Sequence, residues 1–215
     1  MTTWIKFCGT TSLEDALASI EAGANALGFI FAPSKRRILP EKAQEIIQRL
    51  PSEVERIGVF LDSNGEEISR TVREVKLTGI QMHGSRDIPP EIYRRLPQER
   101  RDSLRKIKSI LVSADFRSAL ESALAFSEFV DAWLLDSGAG SGRTFAWQDA
   151  QAAVQNREGR FIIAGGLTPE NVAEAVRAFQ PWGVDVVSGI ELEPGKKDQA
   201  KMKAFVAAVR KAEQQ

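Results

Sequence analysis

Short apolar runs and amphipathic segments alternate along the whole chain. Trp4–Phe7, Ala26–Phe31, Arg56–Leu61, Gly79–Met82, Leu104–Ile110, Val130–Leu135, Phe161–Ala164 and Val184–Val187 are apolar runs of strand length. Between them the period changes. Leu13, Ala16, Leu17 and Ile20 recur at helical spacing, and Gly23 follows as a C-cap signal. Pro40, a favoured first-turn residue, opens a helix carrying Ala43, Ile46, Ile47 and Leu50. Further helices are predicted over Glu66–Val75, Phe116–Ala125, Trp147–Val154, Pro169–Phe179 and Gln199–Arg210, with a weak, proline-rich one near Pro90–Leu96. Eight strands, each followed by a helix, predict a parallel sheet covered by helices. That number favours closure into a (β/α)8 barrel over an open doubly wound sheet. No linker, charge block or low-complexity tract divides residues 1–215, so one catalytic domain is expected.

Composition narrows the chemistry. The 215 residues suit a barrel with short loops, since such folds commonly need about 250. Hydrophobic residues at 43% leave enough apolar surface for a core. Lys plus Arg equals Asp plus Glu, 29 each, which removes the basic excess expected of a nucleic-acid binder. With one cysteine and one histidine, an intrachain disulfide is impossible and a zinc site implausible; no metal is expected. The N-terminus has no apolar segment of signal-peptide length, and no stretch approaches a membrane span. A reducing cytoplasm is the expected setting.

Active sites of such barrels lie at the C-terminal ends of the strands, and there the sequence sets several special residues. Cys8 follows the first strand, with Lys6 nearby. A lone cysteine is ordinarily a buried, inert thiol, but this position suits a base or nucleophile in an electropositive setting. Asp136 ends the run Ala132-Trp133-Leu134-Leu135, where an apolar edge can raise a carboxyl pKa enough for proton donation near neutrality. Gly165-Gly166 leads from strand seven into a helix, and Ser188-Gly189 follows strand eight. Glycine backbone amides beside a helix N-terminus suit phosphate. Arg36 and Arg37 lie in the loop after strand two, and either guanidinium matches a carboxylate bidentately. His83 stands after strand four, open between a hydrogen-bonding and a catalytic role, and Asp185 lies on the last strand. Asp15, Asp149 and Asp198 fit solvated helix or loop positions. Ser137-Gly138-Ala139-Gly140-Ser141-Gly142-Arg143-Thr144 fails the nucleotide P-loop pattern: Ser137 replaces its first glycine and Arg143 its lysine. A lid beside Asp136 is the more economical reading.

These residues also form a recognisable series. Lys6-Phe7-Cys8-Gly9-Thr10-Thr11, Gly23-Ala24-Asn25-Ala26-Leu27-Gly28-Phe29-Ile30-Phe31, Ser34-Lys35-Arg36-Arg37-Ile38 and Gln81-Met82-His83-Gly84 resemble the phosphoribosylanthranilate isomerase family of tryptophan biosynthesis. So do Leu134-Leu135-Asp136-Ser137, Ala164-Gly165-Gly166-Leu167-Thr168-Pro169 and Gly183-Val184-Asp185-Val186-Val187-Ser188-Gly189-Ile190-Glu191. The order holds over nearly the whole chain. Ala146, where the family often has an acidic residue, and Ser85-Arg86-Asp87 depart from the pattern. The resemblance implies a single-domain (β/α)8 barrel and an Amadori rearrangement of N-(5-phosphoribosyl)anthranilate, without metal or organic cofactor. It implies Cys8 as general base, Asp136 as general acid and Arg36 as the ligand of the anthranilate carboxylate. Gly165, Gly166, Ser188 and Gly189 would hold the phosphate of this small-molecule substrate. Monomer and homodimer are both compatible. Two other readings are a related aldose–ketose isomerase of histidine biosynthesis, which typically carries an aspartate in place of Cys8, and a catalytically idle phosphate-binding barrel. The latter needs no acid–base pair.

Overall fold

The computed structural model describes residues 2–84, 102–113, 115–125, 127–136, 147–155 and 157–214, with the side chains of 127 and 147–149 excepted. Eight parallel strands close into a barrel in chain order: β1 (Trp4–Cys8), β2 (Ala26–Ile30), β3 (Glu55–Leu61), β4 (Gly79–His83), β5 (Arg105–Leu111), β6 (Ala132–Asp136), β7 (Phe161–Ile163) and β8 (Gly183–Val186). Among the described residues the helices are α1 (Leu13–Ala22), α2 (Pro40–Ile47), α3 (Gly65–Val75), α4 (Phe116–Leu124), α5 (Trp147–Val154), α6 (Val172–Phe179) and α7 (Gln199–Ala212). The weak helix expected near Pro90–Leu96 lies outside the described residues.

Local chemistry sets the helix ends. Ser12 caps α1 by accepting from the Asp15 amide, and Gly23 ends it in the left-handed conformation, φ 106°. Asn64 caps α3 and Asp198 caps α7 in the same way. The expected helix from Pro169 instead begins at Val172. Asn171 explains the delay: its side chain accepts from the Thr168 amide at 2.8 Å and donates to the Gly166 carbonyl at 2.9 Å, so Thr168–Asn171 is a turn.

Strand periodicity separates two cores. Outward residues such as Ile5, Phe7, Leu27, Phe29, Ile80 and Met82 meet the helices, where Phe7 packs edge-on against Phe205 of α7. Each large side chain buried in that layer stabilises the fold by about 1.5–3 kcal/mol. Inward residues Trp4, Ala26, Ile57, Ile107, Ala132, Leu134, Ile162 and Ala164 fill the barrel itself. At the N-terminal end Trp4 stacks on Trp182 at 4.9 Å, and Arg105 lies 4.9 Å from the Trp182 ring centre while pairing with Glu55. The bottom is thereby closed by packing, and the chemistry is left to the other rim.

Candidate active site

Cys8, His83 and Asp136 are the last residues of β1, β4 and β6, not loop residues beyond them as the sequence pattern suggests. Register defines their surroundings. Cys8 pairs with Gly28 of β2, Lys6 with Asp185 of β8, and Asp136 with Leu111 of β5. Paired residues of parallel strands share a face, so Lys6 and Asp185 sit inside the barrel one step below Cys8. Gly28 makes room for the thiol, because a Cβ there would stand 2.5 Å from Sγ of Cys8.

Electrostatics at Cys8 pull in two directions. The thiol is 3% exposed, and burial pushes its pKa up; the Lys6 ammonium opposes this, Asp185 adds to it, and Lys197 opposes it again. Lys6 is fully buried and donates to Asp185 at 2.9 Å. Burial disfavours its charge, but Asp185 and Cys8 outweigh that and hold its pKa above the ordinary lysine value. The resting thiol is therefore protonated, with a permanent ammonium beside it for any thiolate that forms.

His83 is held by Gln81, whose Nε2 lies 2.7 Å from the ring Nε2. With that amide donating, Nε2 is the acceptor and the ring proton resides on Nδ1. Burial lowers the His83 pKa against the pull of Asp136, so the ring is neutral near pH 7. Asp185, a candidate from sequence, serves as the counter-ion of Lys6.

The two glycine loops meet backbone to backbone. Gly165 and Gly166 follow β7 with φ of 86° and 65°, values that L side chains rarely adopt. Ser188-Gly189-Ile190 forms one 3-10 turn after β8. A Cβ on Gly189 would stand 1.9 Å from the Leu167 carbonyl oxygen, so only glycine permits this contact. The proposed lid, Ser137–Thr144, lies outside the described residues, as do the departures at Ala146 and 85–87.

Arg36 is not free, contrary to the simplest expectation for a carboxylate clamp. Its Nε lies 2.9 Å from both Glu191 carboxylate oxygens and its Nη2 2.6 Å from Oε2. Glu191 begins a hairpin absent from the expected elements: β9 (Glu191–Glu193) pairs antiparallel with β10 (Lys196–Lys197). Lys197 of this hairpin is buried and donates to Glu191 at 3.2 Å and to the Cys8 carbonyl at 2.6 Å. The Pro194-Gly195 dipeptide between two charged ends was the available signal for a turn. Charged residues normally read as solvated, which hid Glu191 and Lys197. Asp198 and Asp15 also have structural tasks, since Asp198 caps α7 and Asp15 accepts from the Lys197 amide at 3.2 Å. The Asp149 side chain is not among those described.

Among the described residues no group of three or more His, Cys, Asp or Glu side chains is arranged to hold a metal ion. No described helix is long and apolar enough to cross a membrane. What remains is a rim with a thiol beside an ammonium, a carboxyl group across the barrel and paired glycine loops between β7, β8 and their helices. Such a rim can move protons on a bound phosphorylated molecule.

Known proteins resemble this chain over nearly their whole length. Residues 5–208 match the family described as N-(5′-phosphoribosyl)anthranilate (PRA) isomerase. The chain is 42% identical to the N-(5′-phosphoribosyl)anthranilate isomerase of Geobacter sp. strain M21, covering 97% of this chain and 98% of that one. The crystal structure of the phosphoribosyl anthranilate isomerase from Thermotoga maritima superposes with a TM-score of 0.84 at 39% identity, covering 98% and 100% of the two chains. A phosphoribosyl anthranilate isomerase crystallised with reduced 1-(o-carboxyphenylamino)-1-deoxyribulose 5-phosphate gives a TM-score of 0.82 at 38% identity, with the same coverage. A barrel that agrees with these proteins in fold, in chain length and in two residues of every five belongs to the N-(5′-phosphoribosyl)anthranilate isomerase family.

Proposed function

We propose that this chain converts N-(5-phosphoribosyl)anthranilate to 1-(2-carboxyphenylamino)-1-deoxyribulose 5-phosphate, with Asp136 as general acid and Cys8 as general base. The phosphate would lie on the backbone amides around Gly165, Gly166, Ser188 and Gly189. The anthranilate carboxylate would meet Arg36. Asp136 would protonate the ribose ring oxygen, so that the C1′–O bond breaks and a protonated Schiff base forms. The Cys8 thiolate would then take the C2′ proton. The electron pair released moves into a C1′–C2′ double bond and neutralises the iminium nitrogen, giving an enolamine. Protonation at C1′ and loss of the hydroxyl proton at C2′ give the ketone.

The single observation that supports this reading is the thiol–ammonium pair on β1, which opens on the same rim as Asp136 on β6. Acid–base catalysis needs one group that starts protonated and another that can give up its proton beside a fixed cation. Only protons change places in this reaction, so neither a metal nor an organic cofactor is required. His83, neutral and fixed by Gln81, would serve as a hydrogen-bonding neighbour of Asp136. A reducing cytoplasm, which keeps Cys8 a free thiol, completes the proposal, and the mechanism operates in a monomer or a homodimer alike.

The test is a fluorescence assay on freshly generated phosphoribosylanthranilate, with a chelator present and no cofactor added. Enzyme-dependent disappearance of the aminoaryl sugar, well above its spontaneous decay, is the expected result. Purified, folded protein that leaves the decay unchanged would overturn the function.

A further inference from the structure

We propose that Glu191 is a specificity-determining residue: it orients the Arg36 guanidinium so that the barrel selects a sugar phosphate whose aglycone carries a carboxylate. This inference rests on the reading of Arg36 as the carboxylate ligand. It adds what makes that arginine selective.

Glu191 takes the side-on edge of the guanidinium, Nε and Nη2. Among the described residues every guanidinium bond goes to Glu191. The end-on edge, Nη1 with the outer Nη2 hydrogen, is the second bidentate face of the same planar group, and its direction is now set.

Glu191 is itself immobilised. Its side chain is 4% exposed and accepts from the Gly195 amide and from Lys197, both at 3.2 Å. Lys201 donates to its main-chain carbonyl at 2.8 Å. Lys197 in turn donates to the Cys8 carbonyl at 2.6 Å and the Val187 carbonyl at 3.4 Å, tying the hairpin to the ends of β1 and β8. From the other side, Arg36 packs over Gly9, where a Cβ would come within 2.9 Å of its Cδ. The carboxylate clamp and the strand that carries the thiol are thus one rigid unit.

The charges also fit an anion. Glu191 is shared between Arg36 and the buried Lys197, so its single charge does not cancel both, and the guanidinium stays cationic in a fixed rotamer. A carboxylate gains from that preorganisation; a neutral aryl group does not.

The test compares Glu191→Gln, Glu191→Asp and Arg36→Ala with wild type, using two reduced product analogues. One carries the aryl carboxylate, and the other is the same N-phenyl sugar phosphate without it. Gln keeps an acceptor for Lys197 and Gly195 but loses the charge; Asp keeps the charge but falls short of the fork. If Glu191→Gln does not fold, Glu191→Asp carries the comparison. Each Glu191 variant should bind the carboxylated analogue roughly tenfold more weakly, the size of one charge-assisted hydrogen bond. Affinity for the other analogue should change by less than about twofold, and KM should rise with kcat nearly constant, the mark of lost uniform binding. In the Arg36→Ala background, Glu191→Gln should add no further loss on the carboxylated analogue. Equal losses on both analogues, or none, would overturn the role of Glu191. If Arg36→Ala itself fails to discriminate between the analogues, the carboxylate-clamp reading falls, and this proposal with it.

Discussion

Replacing Cys8 by alanine is expected to lower kcat by roughly 10²–10⁴-fold, the usual contribution of a general base, while the barrel stays folded. Alanine removes the β1 group proposed to take the C2′ proton and leaves a small space opposite Gly28. Circular dichroism and a thermal melt check the fold; steady-state kinetics check the loss. The pH dependence is a second part of the same prediction. Burial raises the Cys8 pKa, so the base form is the minority near neutrality and kcat/KM should climb as pH rises. The stability linkage has the opposite sign. The folded state keeps the thiol proton to higher pH than the unfolded chain, so the cysteine's contribution is complete below the unfolded thiol value of about 8.5. It is then lost as pH rises through the folded value, and Cys8→Ala should lack that alkaline loss. Near wild-type turnover by a folded Cys8→Ala protein would sink the base assignment.

The largest stability effect is expected from Lys6→Met. Lys6 and Asp185 are both buried inside the barrel and joined at 2.9 Å. Removing the ammonium leaves the Asp185 carboxylate without its partner in a poorly solvated interior, a change that costs about 3–5 kcal/mol. Urea denaturation would show it as a lower midpoint at an unchanged m-value. The double variant Lys6→Met/Asp185→Leu should recover most of that stability, because buried ion pairs are often replaceable by apolar groups. It should not recover the thiol's acidity. Lys6 lowers the Cys8 pKa by more than Asp185 raises it, so the double variant should need a higher pH for Cys8 alkylation than wild type. Recovery of stability without recovery of reactivity separates the electrostatic task of Lys6 from its structural one. Equal alkylation profiles in the two proteins would mean that Lys6 does nothing for the thiol.

Much of this architecture was legible in the residues because a closed parallel barrel writes a strong periodic signal. Each strand is buried on both faces, so Ala132–Leu135 or Phe161–Ile163 reads as a continuous apolar run, and each helix shows a single apolar stripe. Strand ends were less clear. Cys8, His83 and Asp136 are polar and look like loop residues, yet the barrel rim gives such groups a place within the strand. The helix expected from Pro169 starts three residues later because the Asn171 side chain competes for backbone groups, a choice that local propensity does not reveal.

Charged partners inside the fold were the hardest to foresee. Lys6, Asp185, Glu191 and Lys197 look like ordinary soluble-surface residues in sequence, and their burial depends on contacts between residues 4 to 189 apart. Lys6 meets Asp185 only because β8 closes against β1. Arg36 meets Glu191 only because a hairpin follows the last strand. The residues of the candidate site could be named one by one, but the pairings that set their charge states needed the closed barrel.

In the proposed mechanism the C2′ proton leaves to the barrel-rim thiol during isomerisation. This step is tested most directly by single-turnover conversion of phosphoribosylanthranilate bearing deuterium at C2′ of the ribose, followed by the change in anthranilate fluorescence. Wild-type protein is expected to convert the deuterated compound severalfold more slowly than the protiated one. The folded Cys8→Ala protein should lose that isotope-sensitive step; a Cys8→Ala protein that converts both compounds at the wild-type rates and with the wild-type isotope effect would contradict the assignment.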